Sequence, residues 1–288
     1  MNLFDKLVTE ALKNQPDLVP LRVVVEKELL HHDILRVLSD NNLLKNLTFI
    51  GGTCLRSCYR GVRLSEDLDF TGGSDFTRDS LAMMGQTLVK NLNNKYGLFV
   101  KVTEPIKDKQ NVDTWKIAIE TRPEQQHLPS QRINIDICAI NSYEKRPMML
   151  LNPYGVDVGT SGLIIQAQSR EEIYADKLLA FAFRPNRIKY RDLWDIAWLH
   201  GQGLKPRFEL IPAKTQDRNT TIEYFLKSFN ERKNMLKENS KMALEFKQEI
   251  QRFLPVNQIK TLEQDNLWNF TIYLIEDLGD QIVKLSNK

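Results

Sequence analysis

The spacing of apolar residues changes character near residue 165. In the first part, Leu3, Leu7 and Leu12 predict a short helix over 2–14, and Pro16 and Pro20 break the chain after it. Val23, Leu30, Ile34, Val37 and Leu38 predict a longer helix over 21–40. LTFI (47–50) reads as a short apolar strand, Thr53–Tyr59 as a helical turn, DLDFT (67–71) as a second strand and 76–95 as a helix. After Gly97 the period falls to two in LFVKV, VDTWKIAIE and RINIDICAI, the mark of strands with one buried face. In RINIDICAI, Ile133, Ile135, Ile137 and Ala139 take one side, and Arg132, Asn134, Asp136 and Cys138 the other. Residues 141–162, rich in Pro, Gly and Asn, predict a connection.

From Ser169 the texture is helical. Ser169 and Glu172 form a capping-box pattern ahead of Ile173, Leu178, Leu179 and Phe183, and Pro185 closes that helix. RDLWDIAWLH starts another, and 220–250 and 258–286 give two long helical patterns. The prediction is an α/β (α+β) chain: a mixed sheet with flanking helices over 1–165, then a mostly helical lobe over 166–288, with a cleft between them.

Composition narrows the classes without choosing one. The 288 residues are 42% hydrophobic and 27% charged, as in ordinary globular proteins. A net charge of +3 does not by itself mark a nucleic-acid binder. Cys54, Cys58 and Cys138 cannot make a disulfide framework, which predicts a reducing cytoplasm. Asp5 and Glu10 interrupt the first residues, so no leader is predicted, and no stretch is long and apolar enough to predict a membrane span. His31, His32, His127 and His200 have no zinc-site spacing. Cys54 and Cys58, four residues apart, read as small buried thiols before a redox pair.

The chemistry gathers in FIGGTCLRSCYRGVRLSEDLDF (49–70). A glycine pair after a buried strand lets the backbone approach a ligand, and the amides of Gly51, Gly52 and Thr53 begin a helical turn that favours phosphate. Asp67 and Asp69, two residues apart on a strand, point the same way and repel unless a cation sits between them. Magnesium held there would bind a triphosphate. A turn and a solvated strand edge explain either feature alone; together they point to a phosphate-and-metal site. No GKS or GKT follows the glycines, so this is not a P-loop.

IGGTCLR…RLSEDLDF resembles the nucleotide-binding motif of the DNA polymerase β-like nucleotidyltransferase superfamily. More narrowly, it resembles the AbiEii/AbiGii toxins of abortive-infection and type IV toxin–antitoxin systems. Cys54 stands where a small residue such as Ala is more usual. The resemblance implies that Thr53 contacts nucleotide phosphates and that Asp67 and Asp69 hold two Mg²⁺ ions. Arg63 and Ser65, in the same stretch, are candidate nucleotide contacts. Asp136, on the polar side of its strand, is the candidate third carboxylate, for metal or for the acceptor's proton. EEIYADKLLAF and RIKYRDLWDI match two further elements of the family. A lone lysine on such a helix normally reaches for solvent. By the match, Lys177 contacts the triphosphate, Asp192 positions Lys177 or the nucleotide, and Asp195 supports it or faces water. Arg187, Lys189 and Arg191 make a basic cluster suited to phosphates.

The reaction implied is Mg²⁺-dependent transfer of NMP from an NTP to RNA, with the tRNA 3′ end as the expected acceptor, blocking translation and growth in phage defence. A winged-helix antitoxin is implied as partner, with direct contact not required, and no membrane. Lys205, Arg207, Lys214, Arg218, Lys227, Arg232, Lys233 and Lys237 are compatible with an RNA partner, although acids such as Glu223, Glu231 and Glu238 alternate with them. Two alternatives stay open: transfer to a protein or small molecule, and a catalytically inactive GTP-binding module.

Overall fold

The structure is a computed structural model that describes residues 2–106, 111–124, 129–238, 241–263 and 266–286; His127 lies outside them. The chain divides into two compact units, Met1–Gln168 and Ser169–Lys288.

The first unit opens with α1 (Leu3–Asn14), whose N-terminal amide at Asp5 is capped by the Asn2 side chain at 2.8 Å, and α2 (Arg22–Asp40). The strand β1 (Thr48–Ile50) runs directly into α3 (Gly51–Tyr59), and β2 (Leu68–Thr71) follows. Then come α4 (Met84–Tyr96), β3 (Val100–Thr103), β4 (Val112–Ile119), β5 (Gln131–Cys138), β6 (Lys145–Met149) and β7 (Ile164–Gln168). Among the described residues these strands form one mixed sheet in the order β3-β4-β5-β2-β1-β7-β6. β2 is parallel to β5 and β1 to β7, while the remaining neighbours are antiparallel.

Two expectations need correction here. The stretch 141–162 is not only a connection, because it contains β6. That strand, KRPMM, is mostly exposed and carries Pro147, which an edge position tolerates but which hides the strand from pattern reading. The residues 76–95 are not one helix: a 3₁₀ turn over Arg78–Leu81 precedes α4.

The period-two reading of β4 and β5 holds. Trp115, Ile117, Ile119, Ile133, Ile135 and Ile137 are buried on one side, where α2 packs on β5 and α4 on β3. Lys101, Thr103, Lys116 and Arg132 on the other side are exposed.

The second unit begins with α5 (Arg170–Phe183), where the Ser169 hydroxyl accepts from the Glu172 amide at 3.0 Å. After α6 (Tyr190–Gly201) comes α7 (Ile211–Gln216). The pattern over 220–250 comprises α8 (Ile222–Glu238) and α9 (Lys241–Ile250), and that over 258–286 belongs to α10 (Val256–Glu263) and α11 (Asn266–Ser286). Its core includes Phe181, Phe225, Phe229 and Trp194.

Candidate active site

The glycine pair sits inside the first turn of α3 rather than in a loop before it. Gly51 has φ +77°, a conformation that side-chain-bearing residues rarely adopt, and a Cβ there would lie 2.6 Å from Asp69 Oδ2. Two separate constraints therefore demand glycine. Gly52 lies beneath the buried Arg63 guanidinium, whose Nη1 also donates to the Leu64 carbonyl at 3.1 Å. Ile50, at the N-cap, supplies no side-chain cap, so the positive end of the α3 dipole falls at the glycine pair.

Thr53 is fully buried. Its hydroxyl is bonded to the Ser65 hydroxyl at 2.8 Å and donates to the Asp67 carbonyl oxygen. Thr53 thus pins the loop ahead of the aspartates, and its side chain is spent on that contact.

The two motif aspartates are not equivalent, as an all-strand reading would have made them. β2 starts at Leu68, so Asp67 precedes it, and Asp67 Oδ1 accepts from the Asn134 backbone amide on β5 at 3.0 Å. Asp69 lies within β2, where the parallel register places it beside Asp136, and Ile50 of β1 is its neighbour on the other side. The antiparallel register sets Thr114 of β4 opposite Asp136, and its hydroxyl donates to Asp136 Oδ1 at 2.6 Å. The sheet thereby brings Asp69 and Asp136 together although 66 residues of chain lie between them.

Among the described residues no three His, Cys, Asp or Glu side chains form a ready-made metal cage. Magnesium is commonly held by one or two carboxylates together with substrate phosphates. The Asp69–Asp136 pair has the hard oxygen donors for that arrangement, and the Gly51 turn lies against Asp69.

Sequence reasoning missed the support behind this turn. Buried Glu28 on α2 accepts from the Ser65 amide at 2.9 Å through Oε1; through Oε2 it accepts from Arg56 Nε at 3.1 Å and from the Tyr154 hydroxyl. Burial, and then the Glu28 charge, push the Tyr154 phenol well above its ordinary pKa, so it stays a neutral donor. On the same helix, Lys27 pairs with Glu66 at 2.8 Å and His31 Nε2 lies 3.0 Å from the Glu66 carbonyl. One turn of α2 thus grips the residues just before Asp67. Asn134 and Thr114 were missed as well: Asn134 acts through its backbone amide, which any residue could supply, and an outward-facing threonine gives no sequence sign that it holds a carboxylate.

In the second unit, Lys177 does not reach for solvent. It is buried, with Nζ 2.7 Å from Asp192 Oδ1 and 2.7 Å from Asp195 Oδ2. Asp195 therefore supports Lys177 and does not face water. Arg184 adds a contact to Asp192 Oδ2 at 3.1 Å. Burial alone would raise the Asp192 carboxyl, but Lys177, Lys189 and Arg184 outweigh it and hold it well below the usual carboxylate range. Burial lowers the Lys189 ammonium, with Asp192 opposing.

Of the basic cluster, Lys189 and Arg191 stay within electrostatic reach of each other. Arg187 is exposed, and Arg191 lies 3.6 Å from Glu249 with its guanidinium 4.5 Å from the Phe253 ring centre. Lys214, one of the basic residues compatible with an RNA partner, is completely enclosed with Glu172 at 2.7 Å and Asp176 at 2.9 Å. Its ammonium is part of the core.

A mixed sheet that sets paired carboxylates beside a glycine-led helix start is the arrangement of a nucleotidyltransferase. A family model described as "Nucleotidyl transferase AbiEii toxin, Type IV TA system" matches residues 33–271, and the chain belongs to that family. The solved structure of MenT4, nucleotidyltransferase toxin Rv2826c from Mycobacterium tuberculosis H37Rv, is similar at TM-score 0.51 and 13% identity, covering 97% of this chain and 98% of that one, which shows a shared fold. JHP933 from Helicobacter pylori aligns at TM-score 0.49 and 19% identity over 92% of this chain and 95% of its own. Comparison with curated proteins yields no match. Among the described residues no helix is long and apolar enough to cross a membrane.

Proposed function

We propose that this toxin transfers NMP from an NTP to the 3′ end of a tRNA and so blocks translation and growth. The observation that carries the reading is the rung shared by Asp69 and Asp136, set against the Gly51 turn. Phosphates are assigned to the first turn of α3, at Gly51, Gly52 and Thr53, with Arg63 over Gly52 and Ser65 fixing the loop. Asp136, oriented by Thr114, holds the acceptor hydroxyl and takes its proton. The freed oxygen bonds to the α-phosphorus as the bond to the bridging oxygen breaks, and pyrophosphate leaves with that electron pair. Two Mg²⁺ ions, held by Asp67, Asp69 and Asp136 with the nucleotide, would supply charge neutralisation and a more reactive acceptor oxygen. Lys177, oriented by Asp192 and Asp195, is assigned the β- and γ-phosphates, and Lys189 and Arg191 are assigned to nucleotide binding, on the family motif. The antitoxin is a winged-helix protein that need not touch the toxin, and the system serves phage defence in the cytoplasm.

The test supplies each radiolabelled NTP, Mg²⁺ and total cell lysate to the purified chain. Label in tRNA-sized material supports the proposal; label in protein or a small product, or none, overturns it. Asp136→Asn is expected to slow transfer by about 10²–10⁴-fold while the protein stays folded by circular dichroism.

A further inference from the structure

The outer face of β3, β4 and β5 carries cations that the transfer site does not use. Its register sets Arg132 opposite Ala118 and Ala118 opposite Lys101; the next rung holds Asn134, Lys116 and Thr103, and the next Asp136 with Thr114. Asp69 extends that last rung on the other side. Lys101, Lys116 and Arg132 are all exposed, and among the described residues none pairs with an acid. At the far end Phe99 is 61% exposed, with Glu120 as its strand neighbour.

A solvated sheet face commonly sets opposite charges across its strands. Here the cations face Ala118, Asn134 and Thr103. A lysine on an edge strand guards against edge pairing, which accounts for Lys101 on β3 but not for Lys116 or Arg132 on interior strands. The three cations form one polyanion-complementary strip, and it leads to Asp136. From Arg132 to Asp136 the strand runs about 14 Å.

We infer that this face is the track for the single-stranded 3′ end of the RNA acceptor. Its phosphates lie on Lys101, Arg132 and Lys116, a base stacks on Phe99, and the terminal hydroxyl arrives at Asp136. The inference rests on the RNA-acceptor reading above.

The experiment uses the full chain, total tRNA as probe, and the triple variant Lys101→Gln/Lys116→Gln/Arg132→Gln. Expected are a loss of tRNA affinity of about tenfold or more at physiological salt and a log K against log salt slope shallower by about two. The KM for tRNA should rise in step, with NTP affinity unchanged. Phe99→Ala should weaken binding without changing the salt slope. A second triple variant, Lys6→Gln/Lys45→Gln/Lys90→Gln, removes the same charge from exposed positions elsewhere and should bind tRNA as the unaltered chain does. If the unaltered chain labels tRNA and the first triple variant does so with unchanged KM, or if both triple variants lose affinity equally, the track is wrong and the RNA reading survives. If the unaltered chain labels no RNA, both fall.

Discussion

At Gly51 the backbone and a carboxylate oxygen occupy space that one methyl group would contest. Gly51→Ala forces a side chain into the left-handed region and against Asp69 Oδ2. It is expected to cost roughly 1–3 kcal/mol in urea melts, and to lower transfer further than that loss of folded protein explains, because the carboxylate itself must move. Full transfer by a folded Gly51→Ala protein would show that the close approach is dispensable. The Lys177 ammonium, enclosed by Asp192 and Asp195, makes a different prediction. Lys177→Met takes their shared cation from two buried carboxylates, of which Asp192 keeps Arg184, and should cost about 3–5 kcal/mol. Adding Asp192→Asn and Asp195→Asn should recover part of that loss in the same melts, since the uncompensated charge is then gone.

Among the elements, α2 has the widest influence on the site without supplying a reacting group. Glu28→Ala strands Arg56 and removes the acceptor of the Ser65 amide, so a loss of about 3–5 kcal/mol is expected. Glu28→Gln, which keeps an acceptor, should lose less; equal losses for the two would remove the hydrogen bonds from the account. None of this was legible beforehand. A glutamate on an amphipathic helix reads as solvent-facing, and the partners of Glu28 lie 28, 37 and 126 residues away along the chain. The outward placement of Asp136 was legible, because strict alternation in β5 announced which side chains leave the core. The motif aspartates were legible as a pair but not as unequal members, since the start of β2 at Leu68 depends on how β5 pairs with it. Strand β6 was missed because an exposed edge strand has no buried face to set a period, and the fate of Lys214 because nothing local signals that Glu172 and Asp176 enclose it.

For the molecule as a whole, acid should act first on the unit that contains His31 and His32. Burial, the largest influence, lowers both imidazoles, His32 from 6.5 to about 4, against the opposing pull of Glu28. Above pH 6.5 folded and unfolded chains are alike in this respect. Below it the unfolded chain takes up a proton that folded His32 refuses until about pH 4, so stability falls through that window, by roughly 3 kcal/mol from His32 alone. The contribution of Asp192 in the other unit is present above the ordinary carboxylate range and is lost only below it. Urea melts at pH 7, 5.5 and 4, resolved by hydrogen exchange, should show Met1–Gln168 weakening before Ser169–Lys288; the reverse order would contradict the burial of the histidines. The absence of any spacer between Ile50 and Gly51 has its own evolutionary consequence. One codon inserted there would rotate every later residue of α3 by about 100° and swing the second glycine away from Arg63. This junction should therefore be among the least tolerant of length change in a library of single-codon insertions scored for toxicity.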